Sequence, residues 1–202
     1  VGSLRHFHFP EEFVRRFPVF VETGYGDGNG LSYAMTHDFE RLYSIEIWPS
    51  AAARGRERAR LDPRVVIIES NSVMGLQKLY DESAIFFWLD AHYPGADADG
   101  EPYDRWYPEA IRFPLNHELD TIRKLWPQGN YFILIDDLRL YADLPWEEGP
   151  MIEQSWGAHP PTIRTLDFLW PFTLTHDVQI SLNDGGYALI GGRKAPRIRF
   201  IA

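Results

Sequence analysis

The chain contains no cysteine. A disulfide framework, a cysteine zinc site, an iron–sulfur cluster and a thiol nucleophile are therefore excluded. Positive charge is scarce: 20 Lys plus Arg stand against 29 Asp plus Glu, a formal charge of −9. That deficit argues against a nucleic-acid partner, which needs a basic footprint. No apolar run reaches the length of a membrane span, and residues 1–7 lack the regions of a signal peptide. The expectation is a soluble, cytoplasmic protein with no membrane partner. At roughly 150 residues per domain, residues 1–202 are expected to form one domain, long enough to bury a core without staples.

What the chain does have is a series of short apolar runs separated by longer helical stretches. Strands are predicted at 19–22, 42–47, 65–68, 85–89 and 131–135. Their runs are almost continuously apolar, the pattern of a parallel sheet buried on both faces. Helices are predicted at 29–39, from Pro49 to Leu61, from a cap at Asn71 or Ser72 to Tyr80, and at 114–126. The segments 172–180 and 186–192 are also predicted as strands. The five residues between them cannot hold a crossover helix, so this pair is an antiparallel hairpin turning at Asn183, Asp184 and Gly185. The fold class is α/β: a Rossmann-like, doubly wound, mostly parallel sheet of seven strands with an antiparallel C-terminal hairpin.

Glu22, Thr23, Gly24, Tyr25, Gly26, Asp27, Gly28, Asn29 and Gly30 follow the first strand. Glycines there let the backbone turn tightly and approach a ligand closely. The dinucleotide fingerprint Gly-x-Gly-x-x-Gly fails, because Asn29 stands where its third glycine belongs. The spacing is instead Glu-x-Gly-x-Gly-x-Gly. With it, the chain resembles the class I S-adenosylmethionine-dependent methyltransferases over about residues 19–192. In that family an acidic residue and a Gly-x-Gly-x-Gly loop follow strand one, and a second acidic residue ends strand two and holds the ribose hydroxyls. Glu46 matches the second position, and Ile47 and Trp48 follow it toward the adenine. Ser70, Asn71 and Ser72 stand at the family's third motif, with Asn in the acidic place. The resemblance thus implies S-adenosylmethionine as cofactor, held by Glu22, Thr23, Gly24, Tyr25, Gly26, Gly28, Glu46, Ile47, Asn71, Ser72 and Asp90.

Asp90 ends the fourth strand, followed by Ala91, His92 and Tyr93. Asp136 and Asp137 end the fifth. Ligands of open α/β sheets bind outside the carboxyl ends of strands. Three carboxylates gathered there repel one another unless a proton or a cation intervenes, and an all-carboxylate set suits Mg²⁺ or another hard divalent cation. The arrangement resembles the metal-dependent macrocin and sugar O-methyltransferases, which implies a metal site at Asp90, Asp136 and Asp137. It also implies a small-molecule acceptor, such as a sugar hydroxyl or another secondary metabolite. His92 departs from the sugar enzymes and, with Asp90, is a candidate catalytic base. Two alternatives stay open: a cofactor-binding protein without catalysis, and a metal-dependent hydrolase on the same sheet.

Four further stretches invite structural readings. Residues 93–113, rich in Gly, Pro, Asp and aromatics such as Tyr103 and Trp106, are expected to be a lid or an insertion. Phe7, Phe9, Phe13 and Phe17 suggest an N-terminal helical cover over 1–17, against the sheet edge, the cofactor pocket or a second subunit in a homodimer. Glu118 and the basic stretch from Arg54 to Arg60 are expected to face solvent. Arg139 reads as a surface ion pair or as a partner for an anionic group.

Overall fold

The computed structural model describes residues 3–95, 107–150, 161–196 and 198–201. The middle of the expected lid, with Tyr103 and Trp106, lies outside them.

Seven strands form the sheet: β1 (Val19–Thr23), β2 (Arg41–Glu46), β3 (Val65–Glu69), β4 (Ile85–Leu89), β5 (Tyr131–Ile135), β6 (Asp177–Ser181) and β7 (Tyr187–Gly191). Their spatial order is β3-β2-β1-β4-β5-β7-β6. The first five run parallel. β7 runs antiparallel to both β5 and β6. The chain therefore reverses direction across the sheet between β1 and β4, and a crevice opens at their carboxyl ends.

Strand residues alternate between two cores, as a pleated strand buried on both sides requires. Val21, Phe87 and Ile133 join one. It is covered by α4 (Ser72–Gln77) and by Leu115, Leu119 and Ile122 of α5 (Leu115–Leu125). Phe20, Phe86 and Phe132 join the other. That side is covered by α1 (Glu11–Arg16), α2 (Asn29–Ala34) and α3 (Pro49–Ala59). The N-terminal phenylalanines belong to this second core: Phe13 packs edge-on to Phe86 at 5.1 Å and to Phe132 at 5.1 Å. They cover a sheet face of their own chain, so they argue for no second subunit. Phe7–His8 also pairs with Arg199–Phe200 in a two-stranded ribbon.

Several predicted elements shift. α2 stops at Ala34, and the chain turns back to β2 because Arg64 donates to the carbonyls of Met35, His37 and Phe39. α4 is capped by Asn71, whose side chain accepts from Met74 N–H at 2.9 Å, and it ends at Gln77. The strand predicted to begin at Phe172 begins instead at Asp177. Pro171 in a first turn starts a short helix, Trp170–Thr173, ahead of it.

Candidate functional site

Register brings the strand ends level. Thr23 pairs with Leu89, and Leu89 with Ile135. The residues just beyond stay in step: Asp90 N–H donates to Thr23 C=O at 3.2 Å and Asp136 N–H to Leu89 C=O at 3.1 Å. A cavity of about 770 Å³ opens over these ends. Of the fourteen residues expected in the site, twelve line it: Glu22, Gly24, Tyr25, Gly26, Glu46, Ile47, Asn71, Ser72, Asp90, His92, Asp136 and Asp137. Thr23 and Gly28 do not. Thr23 takes the alternate place to Glu22 along β1 and is fully buried. Gly28 is turned back against Tyr25 and Arg58.

The β1 loop is shaped by glycine. Gly24 and Gly28 have φ of +82° and +75°, a region that side chains rarely enter. A Cβ on Gly24 would also lie 2.8 Å from the Asp90 carbonyl oxygen. Glu46 ties this loop to the next one: Gly26 N–H donates to one carboxylate oxygen at 3.1 Å and Trp48 N–H to the other at 2.6 Å. Burial raises the Glu46 carboxyl above its ordinary value, and these amides partly offset the rise. Glu22, 1% exposed, is pushed up to about 8 by burial, with a smaller contribution from the Asp90 charge. The Ser44 hydroxyl donates to it and opposes the shift.

At the ends of β4 and β5, His92 stands between two carboxylates. Its Nδ1 is 3.6 Å from Asp90 and its Nε2 is 3.2 Å from Asp137. Arg139 Nε lies 3.4 Å from the other Asp137 oxygen, and the same guanidinium pairs with Glu148. Burial would raise Asp137, but the hydrogen bond and charge of His92, with Arg139, outweigh it and hold the carboxyl below its usual value. Asp136 goes the other way: burial first, then the charges of Asp90 and Asp137, raise it well above the normal range. Asp136 therefore holds its proton more tightly than Asp137 does.

The metal implied by resemblance does not fit this arrangement. Among the described residues no group of three or more His, Asp or Glu is placed to hold an ion. Asp137 pairs with His92 through Oδ2, while its Oδ1 lies 3.4 Å from Arg139 Nε without a hydrogen bond, and Asp136 accepts the Asp137 N–H at 2.8 Å. Asp90, Asp136 and Asp137 do line one cavity, but the counter-charge there comes from the chain itself.

Several features escaped the sequence reading. Glu118, expected in solvent, is 1% exposed. It falls on the helix face shared by Leu115, Leu119 and Ile122. Its carboxyl, beside Ser72, Thr23 and His92, is raised to about 7 by burial. Ser3, Leu4 and Trp88 also line the cavity, as do His117, Asp120, Thr121 and Lys124. The last four repeat at 117, 120, 121 and 124, a helical stripe that was visible as spacing but had no ligand to suggest its use.

No protein-family model matches this chain, and no curated protein matches it. Solved structures do. A Staphylococcus aureus protein provisionally identified as a caffeoyl-CoA O-methyltransferase aligns with a TM-score of 0.57 at 12% identity, over 90% of this chain and 80% of that one. The methyltransferase domain of bacterial CtHen1 gives 0.52 at 11%, over 88% and 91%. Human N-acetylserotonin methyltransferase, solved with S-adenosylmethionine, gives 0.50 at 12%, and this chain spans 48% of it. Together with the strand order, these likenesses establish the Rossmann-like fold of the class I S-adenosylmethionine-dependent methyltransferases.

Proposed function

We propose that the protein is an S-adenosylmethionine-dependent methyltransferase that methylates an oxygen of a small polar acceptor, such as a sugar hydroxyl. One observation carries this reading: a single cavity gathers the glycine loop, Glu46, Asn71 and the Asp90–His92 pair in the order the fold dictates. Glu46 would accept from the ribose hydroxyls, since a carboxylate can accept several hydrogen bonds at once, beside those from the Gly26 and Trp48 amides. Ile47 and Trp48 form an apolar wall for the base, with Asn71 and Ser72 at its polar edge.

When bound, the cofactor supplies a methyl group on a sulfonium, which becomes a neutral thioether as the new carbon–oxygen bond forms. The acceptor hydroxyl must lose its proton, and His92, in its neutral form, is the group placed to take it. Asp137 pairs with one ring nitrogen, and the other stands 3.6 Å from Asp90 at the cavity wall. The cavity aligns the reactants and limits water, which supplies most of the rate in such a displacement. No step needs a divalent cation.

Calorimetric titration with S-adenosylhomocysteine, with and without Mg²⁺, tests this reading. Micromolar binding that ignores Mg²⁺ is expected. No binding in either condition would overturn it.

A further inference from the structure

Arg58 lies in a basic stretch of α3 that reads as solvated surface, yet its guanidinium reaches inward. It donates to the Gly28 carbonyl at 2.7 Å and to the Ser32 hydroxyl. It also stands over the Tyr25 ring, 5.9 Å from the centroid. Tyr25 is 3% exposed and lines the cavity, so one cation touches the glycine loop at both Tyr25 and Gly28. Gly55, one turn earlier on α3, makes room: a Cβ there would lie 3.3 Å from the Tyr25 ring and 3.1 Å from Ile67. Glycine is a poor residue for a helix interior, and here it opens the place where the ring sits. Gly28 completes the fit, since a Cβ on it would strike both Arg58 and Tyr25.

We infer that α3 is a seat for the cofactor loop, and that Arg58 is a positioning residue that holds Tyr25 and Gly28 in the shape that accepts the cofactor. The inference rests on the cofactor reading above. It makes Arg58 a residue that sets cofactor affinity without touching the cofactor. Charge alone is insufficient, because a planar guanidinium can hydrogen-bond and lie over a ring at once, whereas an ammonium is a compact point charge.

Two measurements separate this inference from the reading beneath it. The first is S-adenosylhomocysteine affinity of the natural protein, Arg58→Ala and Arg58→Lys. Arg58→Ala should weaken binding by about tenfold or more, and Arg58→Lys should recover part of the loss. The second is amide hydrogen exchange of residues 24–32 without ligand. Arg58→Ala should speed exchange there while the amides of β4 and β5 keep their protection. If the natural protein fails to bind S-adenosylhomocysteine, the functional reading falls, and exchange alone decides the seat. Unchanged exchange in Arg58→Ala overturns the inference in either case. So does affinity within about twofold of the natural protein, if that protein binds.

Discussion

Around the loops that follow β1 and β2 the cavity is shaped by main-chain hydrogen bonds. Amides of Gly26 and Trp48 meet the Glu46 carboxylate, and the Arg58 guanidinium meets the Gly28 carbonyl. At the ends of β4 and β5 the wall is side-chain charge, with His92 between Asp90 and Asp137 and Arg139 behind. The first wall has its shape fixed by backbone geometry and is suited to hold a ligand in place. The second sets protonation: one neighbouring carboxyl is driven up and the next down by what surrounds it. On the proposed function, binding and proton transfer fall to different materials, and substitutions should separate them.

The largest separation is expected from His92→Ala. Removing a general base costs about 10²- to 10⁴-fold in turnover, while S-adenosylhomocysteine affinity should stay within about threefold. Methyl transfer to a hydroxyl acceptor and calorimetry read the two quantities. Equal losses in both would mean that the two walls do not divide the work. Glu46→Ala is the converse, though its effect is smaller. It removes a charged acceptor from two amides and from the cofactor, and should weaken S-adenosylhomocysteine binding by roughly 100-fold.

Stability against pH sharpens the comparison from beneath the site. Glu22 and Glu118 are buried, with carboxyls raised to about 8 and about 7. Below their unfolded pKa, both carboxyls are protonated in both states and carry no penalty. As pH rises, the unfolded chain releases protons that the folded chain retains, so stability falls with pH until each folded value is passed. Unfolding free energy should therefore decline from about pH 5 to about pH 8. Glu118→Gln should remove its share, on the order of 3 kcal/mol, and flatten the lower part of the decline. Denaturant titrations at several pH values measure this. A variant with the same slope as the natural protein would show that Glu118 ionises freely.

The two walls also differ in how far the sequence announces them. The glycine spacing and Glu46 are local, and a strand followed by Gly24, Gly26 and Gly28 fixes where backbone amides point. The parallel strands and the terminal hairpin were similarly legible, because apolar runs and a five-residue connection leave few topologies. The charge network was legible only as residue types. Which oxygen of Asp137 meets His92, and that Arg139 takes the other, depends on contacts between β4, β5 and the hairpin turn. Glu118 was misjudged for a related reason. A carboxyl in mid-helix belongs in solvent by composition, and only the stripe of Leu115, Leu119 and Ile122 turns it inward. Arg58 sits in a run of four arginines spaced by small or acidic residues, and nothing in that run marks which of them turn inward.

The smallest effect is expected at Asn71, where the two functions of a wall residue can be told apart. Its side-chain oxygen caps α4 by accepting from Met74 N–H. The residue also lines the cavity, where the proposed function puts the adenine. Asn71→Ala removes both roles and should lower stability by about 1 kcal/mol. Asn71→Asp keeps the capping oxygen and replaces the amide nitrogen with an acceptor, so stability should return to near that of the natural protein. Cofactor affinity then becomes the deciding quantity. If the amide nitrogen donates to the base, Asn71→Asp should bind S-adenosylhomocysteine several-fold more weakly despite its intact cap, since a lost neutral hydrogen bond is worth about 1 kcal/mol. If affinity follows stability through both variants, Asn71 serves the site only as the residue that starts the helix.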